Sequence, residues 1–270
     1  MLDQLVNAPV IDYMSRGMSA ANLRHEVISN NIANVNDYGG KKVRAEFQDL
    51  LYQTVREAGA TSGADSQYPT GKQIGLGTRV ATTQRVFVQG ALQTTDVPTD
   101  VGIQGEGFFR ITLPDGTTAY TRDGSFKIDS QGRMVTTDGY LLADNITFPN
   151  NAPSDSIVIA GDGTVSCTPA GQTQPQNVGQ ITMARFINPA GLTAVGKNLF
   201  RESAASGNAI QTNPQQEGAG TLTQGTLEMS NVQIVEEMVQ MIISQRAYES
   251  NSKAVTTSDS MLEIANGLKR

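Results

Sequence analysis

Residues 27–36 read VISNNIANVN, an apolar stripe that runs into four asparagines. Asparagine is a middling-to-poor helix former because its amide competes for nearby backbone groups, yet the helical rhythm before it is unbroken. Steps of three and four from Ile11 land on Met14, Met18, Ala21, His25, Ile28, Ile32 and Val35, all apolar except the histidine. That line predicts one helix over residues 9–35 with a seam of period 3.5. Pro9 suits its first turn, and Asn36, Asp37, Gly39 and Gly40 stop it. Its length is roughly 40 Å at 1.5 Å per residue. Gly17 interrupts it, at about 1 kcal/mol against alanine.

Asn30 and Asn34 lie four apart, flanking Ile28, Ile32 and Val35 on one face. With Asn31 between them, their amides can satisfy one another or neighbouring backbones where several helix ends converge. A buried polar group is costly unpaired, so such a site fixes register. The plainer reading is an asparagine-rich cap exposed to water.

The C-terminal segment mirrors this helix. Ser230 and Gln233 are spaced as a capping box, Glu236 and Glu237 follow in the first turn, and Gly267 makes a stop. Ile234, Met241, Tyr248, Val255 and Leu262 recur every seven residues, while the second line (Met238, Gln245, Ser252, Asp259, Asn266) is mostly polar. A helix with so narrow a stripe needs a partner, which the N-terminal helix supplies.

Between the helices the texture changes. Val101 and Ile103 alternate, as do Phe109, Ile111 and Leu113. Asp-Gly pairs at 115–116, 123–124, 138–139 and 162–163 separate short β-prone runs, the signature of antiparallel hairpins. The expected class is therefore α+β. Terminal N- and C-helices (1–36 with 227–270) form a coiled-coil-like pair, a linker spans 37–77, and an antiparallel all-β domain spans 78–226. Residues 49–77 fit neither pattern and are too long for an ordinary loop, which leaves disorder or a function of their own.

Composition removes several functional classes. The chain has 270 residues and a net charge of −6, which argues against nucleic-acid and anionic-membrane partners. The chain contains no run of 18 apolar residues that could cross a membrane, and its N-terminus lacks the pattern of a cleavable secretory signal. Cys167 is the single cysteine, so no internal disulfide or thiolate cluster is expected.

Catalytic motifs are sparse. Ser250 and Lys253 spell S-x-x-K, but on a helix face with no following K-T-G element. His25 is the only histidine and lies in the seam, where an interface role fits better than catalysis. The glycines of GIQGEG (102–107) do not open a helix, so bulges fit better than a phosphate cradle. No 12-residue loop has calcium-ligand spacing. No catalytic residue, cofactor or metal ligand is assigned.

Three ordered stretches resemble one family. VISNNIANV (27–35) is similar to the N-terminal signature of bacterial flagellar rod and hook proteins. SNVQIVEEMVQMIISQRAYESNSKAV (230–255) resembles the C-terminal helix of that family, and AYTRDGSF (119–126) the start of its β domain. Gly40 stands where the family usually has an aromatic, with Tyr38 two places earlier. Residues 45–59 and 69–80 look like the distal rod members, in which this insert locks neighbouring subunits into a straight shaft. Asp49, Leu50, Leu51, Tyr52, Gln53, Pro69, Gly71 and Gly75 carry that likeness. The first 26 residues are longer than is typical of a distal rod member, and the head MLDQLVNAPV…NLRHEVISNN looks more like a proximal rod subunit.

The resemblance implies a non-enzymatic subunit of the flagellar basal body that spans the periplasm, polymerises helically and lacks a cofactor. Its implied partners are copies of itself, proximal rod proteins, hook protein, basal-body ring proteins and the type III export apparatus, with export needing no cleaved signal. A proximal rod or hook subunit, or a monomeric β-rich binding module, is the alternative.

Overall fold

The computed structural model describes residues 2–59, 61–63, 66–149, 153 and 156–267. Helix α1 spans Leu2–Ala33 and helix α2 spans Ile234–Gly267, flanking an antiparallel β-rich region. α1 begins earlier than the stripe predicts, so Pro9 lies inside it. A proline removes one backbone hydrogen bond without forbidding helix on both sides. α2 begins later than a capping box at Ser230 requires. Ser230 Oγ accepts only a weak bond from Val232 N–H at 3.4 Å, and Asn231 is committed elsewhere. Glu236 and Glu237 do occupy the first turn, where the helix N-terminus favours negative charge.

Packing divides the chain into two compact units, one of Met1–Ile32, Val43–Gln84 and Ile234–Arg270, the other of Ala33–Lys42 and Arg85–Gln233. In the first, residues 43–84 are a long two-stranded ribbon and not a structureless loop. Strands Val43–Asp49 and Thr78–Arg85 pair, then Gln53–Arg56 with Lys72–Ile74, then Thr61–Gly63 with Ser66–Gln67. Gln53 faces Ile74 and Thr54 faces Gln73, while Leu50 N–H donates to Gly77 O and Gly59 N–H to Tyr68 O. The register shifts by one residue at bulges between Thr54 and Arg56 and between Thr61 and Gly63, and the three ladders follow one another along the same ribbon.

The second unit carries the main sheet. Strand Phe108–Thr112 is its centre, paired with Thr118–Thr121, Leu141–Leu142 and Met183–Arg185. Alternation sends its side chains to two cores. Phe109 and Ile111 join Val101, Ile103 and Phe126 in the larger one, whereas Phe108 joins Tyr120, Phe186 and Phe200 in an aromatic cluster. Phe108 meets Phe186 and Phe200 edge-on, with ring centroids 5.7 and 6.2 Å apart.

Three of the four Asp-Gly pairs turn hairpins, with Gly116, Gly139 and Gly163 at positive φ. The fourth does something else. A Cβ on Gly124 would collide with the Val101 carbonyl, so glycine there permits close backbone approach.

Candidate functional site

For a chain without catalytic constellations, the surfaces to examine are those that leave apolar groups in water and the contacts that aim them. α1 presents the predicted line toward the protein. Ile28 is buried, Met14, Met18, Ala21 and Ile32 are half-buried, and so is Val35 in the turn just past the end of the helix. The asparagines divide: Asn30 and Asn34 are exposed, while Asn31 is buried. Asn31 Nδ2 donates to Val43 O at 2.9 Å and to Glu237 Oε2 at 3.1 Å, and its Oδ1 accepts from Val43 N–H at 2.9 Å. One amide thus ties the end of α1 to the first ribbon strand and to the first turn of α2.

α2 is turned differently from the expected seam. Its face toward α1 is small and polar. Glu237 meets Asn31, Ser244 Oγ donates to the Ala21 carbonyl at 2.9 Å, and Asn251 lies against Gly17. Contacts that rise along one helix as they fall along the other make the two antiparallel. A Cβ on Gly17 would sit 3.0 Å from Asn251 Nδ2, so the glycine that weakens α1 makes room for this side chain. Of the predicted seam, Ile234 and Tyr248 are exposed, Met241 and Val255 half-buried, and the side chain of Leu262 lies outside the described residues. At 100° per residue, Val235, Val239 and Ile242 fall opposite the Glu237–Ser244–Asn251 line, and all three are exposed. The apolar ridge of α2 therefore faces away from its intrachain partner.

The ribbon is the second such surface. Leu51 is 87 % exposed and Tyr52 55 %. Asp49, Gln53, Pro69, Gly71 and Gly75 are also exposed, and Leu50 is half-buried. Gly75 leaves room for the Tyr52 ring, and Gly71 for the Arg56 carbonyl across the hairpin. An isolated two-stranded ribbon is marginal in water, so one with exposed apolar side chains calls for a cover.

At the root of the second unit lies an ionic group that sequence patterning does not reveal. Glu228 Oε1 accepts from Lys41 Nζ at 2.6 Å and from Gly90 N–H at 2.8 Å. Glu228 Oε2 stands 3.1 Å from Arg122 Nε, an ion pair whose N–H is poorly aligned. The side chains of Lys41 and Glu228 are 0 % exposed and that of Arg122 4 %. Arg122 also donates to the carbonyls of Gly105 and Gly107. Burial pushes the Lys41 ammonium below its usual range and Arg122 adds to this, while the facing Glu228 opposes it. Asn231 closes the arrangement. It accepts from Lys42 N–H and donates to the carbonyls of Val86 and Val88. Gly39, at φ +67, donates its N–H to Glu228 O and packs where a Cβ would sit 2.5 Å from Asp123 N. Gly40 is buried beside Asp37 and Ser230.

Residues 11–36 match a family described as flagella basal body rod protein, 102–167 the flagellar hook protein FlgE/F/G D1 domain, and 223–268 the flagellar basal body rod FlgEFG protein C-terminal region. The flagellar basal-body rod protein FlgG of Borreliella burgdorferi is 55 % identical over 254 residues, 94 % of this chain and 96 % of that protein. This chain belongs to the flagellar basal-body rod protein family. The Caulobacter vibrioides FlgG is 50 % identical over 94 % of this chain and 96 % of its own length. The FlgG of Bacillus subtilis is 43 % identical over the same shares.

The rod-family match begins at residue 11, so the N-terminal likeness extends upstream of Val27. The family is structural. Ser250 and Lys253 are both exposed on α2 and no hydrogen bond joins them among the described residues. Within the rod family, Arg122 lies in the AYTRDGSF stretch and Glu228 at the start of the matched C-terminal region, so both ends of the buried ionic group fall in matched segments.

Proposed function

We propose that this chain is a distal rod subunit that polymerises helically into a rigid hollow shaft carrying torque from motor to hook. The observation that carries this reading is the exposed apolar ridge on α2, opposite the face that meets α1. A soluble monomer has no use for Val235, Val239 and Ile242 in water, whereas neighbouring copies can bury them. Heterologous contacts that do not close into a ring generate such a filament.

In this reading residues 1–36 and 227–270 form the coiled-coil-like core of the shaft. Asn30, Asn34, Ile234 and Tyr248 meet neighbouring copies, and the β domain, which begins after the ribbon at Arg85 and not at residue 78, lies outside, adding lateral contacts. The ribbon over 49–77 resists bending, which distinguishes a distal rod from a softer hook. Proximal rod proteins and hook protein cap its ends, ring proteins surround it, and the type III apparatus exports it without a cleaved signal. Before assembly the terminal helices have little to bury against and are largely unfolded.

Electron microscopy of concentrated protein, full-length beside a chain lacking residues 227–270, tests the proposal. Straight tubes are expected from the full-length chain alone. Equal polymerisation by both would refute it. Removing 49–77 should give curved or softer tubes, and unchanged stiffness would refute the distal assignment.

A further inference from the structure

The second unit carries an open cleft of about 430 Å³. Its walls are Phe87, Phe108, Phe186 and Pro189, Val88 stands at its edge, and Arg122 and Arg185 contribute charge. The balance of charge there is unusual for a chain of net charge −6. Three cations (Lys41, Arg122 and Arg185) face two carboxylates, Glu228 and Glu106. Lys41 and Glu228 are sealed off beneath Arg122, so the excess positive charge is felt at the cleft. An aromatic cleft with a cationic floor fits an occupant that joins bulky apolar side chains to one carboxylate.

We propose that this cleft receives the Asp49–Tyr52 stretch of a second copy of this chain. Asp49 is exposed and supplies the negative charge. Leu51 is the most exposed large apolar side chain among the described residues, and Tyr52 follows it directly. The stretch sits on a ribbon that projects apolar side chains it cannot bury itself, so cleft and ribbon each lack what the other presents. Docking hands the excess charge a partner and buries Leu51 against Phe87 and Phe186. The inference rests on the proposed helical polymer and names the receptor for its ribbon.

The test is a cysteine pair in the full-length chain, Leu51→Cys with Val88→Cys. Both side chains are exposed, at 87 % and 65 %, so neither change disturbs a core. The native Cys167 is buried and serves as its own control in the single variants. A disulfide needs Cα atoms within about 7 Å, so only docking allows it. Sedimented polymer is oxidised and run without reductant. A ladder of cross-linked multimers from the double variant, absent from either single variant, is expected. Adding Asp49→Lys should lower the cross-linked fraction roughly tenfold, as a like charge brought against Arg122 and Arg185.

Polymer without a ladder would overturn the docking and leave the proposed function standing. Cross-linked dimers from Val88→Cys alone, which carries one accessible thiol, would show the cleft meeting its own counterpart and overturn it equally. Failure of the unmodified chain to polymerise would overturn the proposed function, and the docking with it.

Discussion

Replacing Glu228 by glutamine should damage the second unit far more than removing Lys41. Glu228 is the single carboxylate between two buried cations, at 2.6 Å from Lys41 Nζ and 3.1 Å from Arg122 Nε. Glutamine keeps one acceptor but turns an NH2 toward a cation, leaves Lys41 without its carboxylate and leaves Arg122 with only the influence of Glu106. Stripping one partner from a buried ionic group costs about 3–5 kcal/mol. Lys41→Met leaves a neutral Glu228–Arg122 pair, with Gly90 N–H still on Oε1. The Val88 carbonyl, which accepts from Lys41 Nζ at 3.0 Å, loses that donor but keeps Asn231 Nδ2 at 2.9 Å. The lost bond and the relief of burying an ammonium nearly cancel, leaving a cost of about 1 kcal/mol or less. With a urea slope of about 2 kcal/mol/M, the midpoint should fall by roughly 2 M for Glu228→Gln and by under about 0.5 M for Lys41→Met. Far-ultraviolet circular dichroism and tyrosine fluorescence of the full chain would follow the transition. Equal shifts for the two variants, or under about 0.5 M for Glu228→Gln, would refute the argument.

The pH dependence follows in sign. Lys41 is held below its ordinary pKa of 10.5, so between its lowered value and 10.5 the unfolded chain binds more protons. Stability from this group rises with pH across that window, and Lys41→Met should abolish the rise. Burial raises the carboxyl of Asp123, which accepts from Ser125 N–H. This group's contribution to folding is therefore full below its ordinary pKa of 3.8 and is lost as pH rises from there through its raised value. Asp123→Asn should raise the melting temperature at neutral pH, with a gain that shrinks on acidification. Asn31→Ala removes both bonds to Val43 and one donor to Glu237, and should destabilise assembled protein by roughly 2–4 kcal/mol in thermal unfolding. Gly39→Ala should cost several-fold more than Gly116→Ala in urea titration. Both have positive φ, but a Cβ on Gly39 meets the Asp123 backbone and one on Gly116 meets nothing within 4 Å.

Much of the architecture can be read from periodicity. The α1 stripe, the alternation through Phe109 and Ile111 and three Asp-Gly turns all come from local pattern, because burial of one face leaves a period in the chain. The limits of α1 and α2 were displaced by several residues, since Pro9 is tolerated and Ser230 is not the cap. The ribbon looked like a loop because its exposed strands bury no face, and without burial there is no alternation to read.

The face of α2 shows the same limit more sharply. Its apolar residues recur every seven, and a hydrophobic seam is the natural reading, yet Glu237, Ser244 and Asn251 meet α1. Those residues also recur every seven, but as polar side chains they carry no hydrophobic signal. Composition and period alone determined two long helices, a hairpin-rich middle and the absence of a legible catalytic motif. Tertiary structure alone decided which side of α2 stays exposed, and which lysine, arginine and glutamate meet out of reach of water. Periodicity records how much of a helix or strand must be buried, whereas long-range polar pairs such as Lys41–Glu228 join residues with no common period, and only the folded chain brings them together.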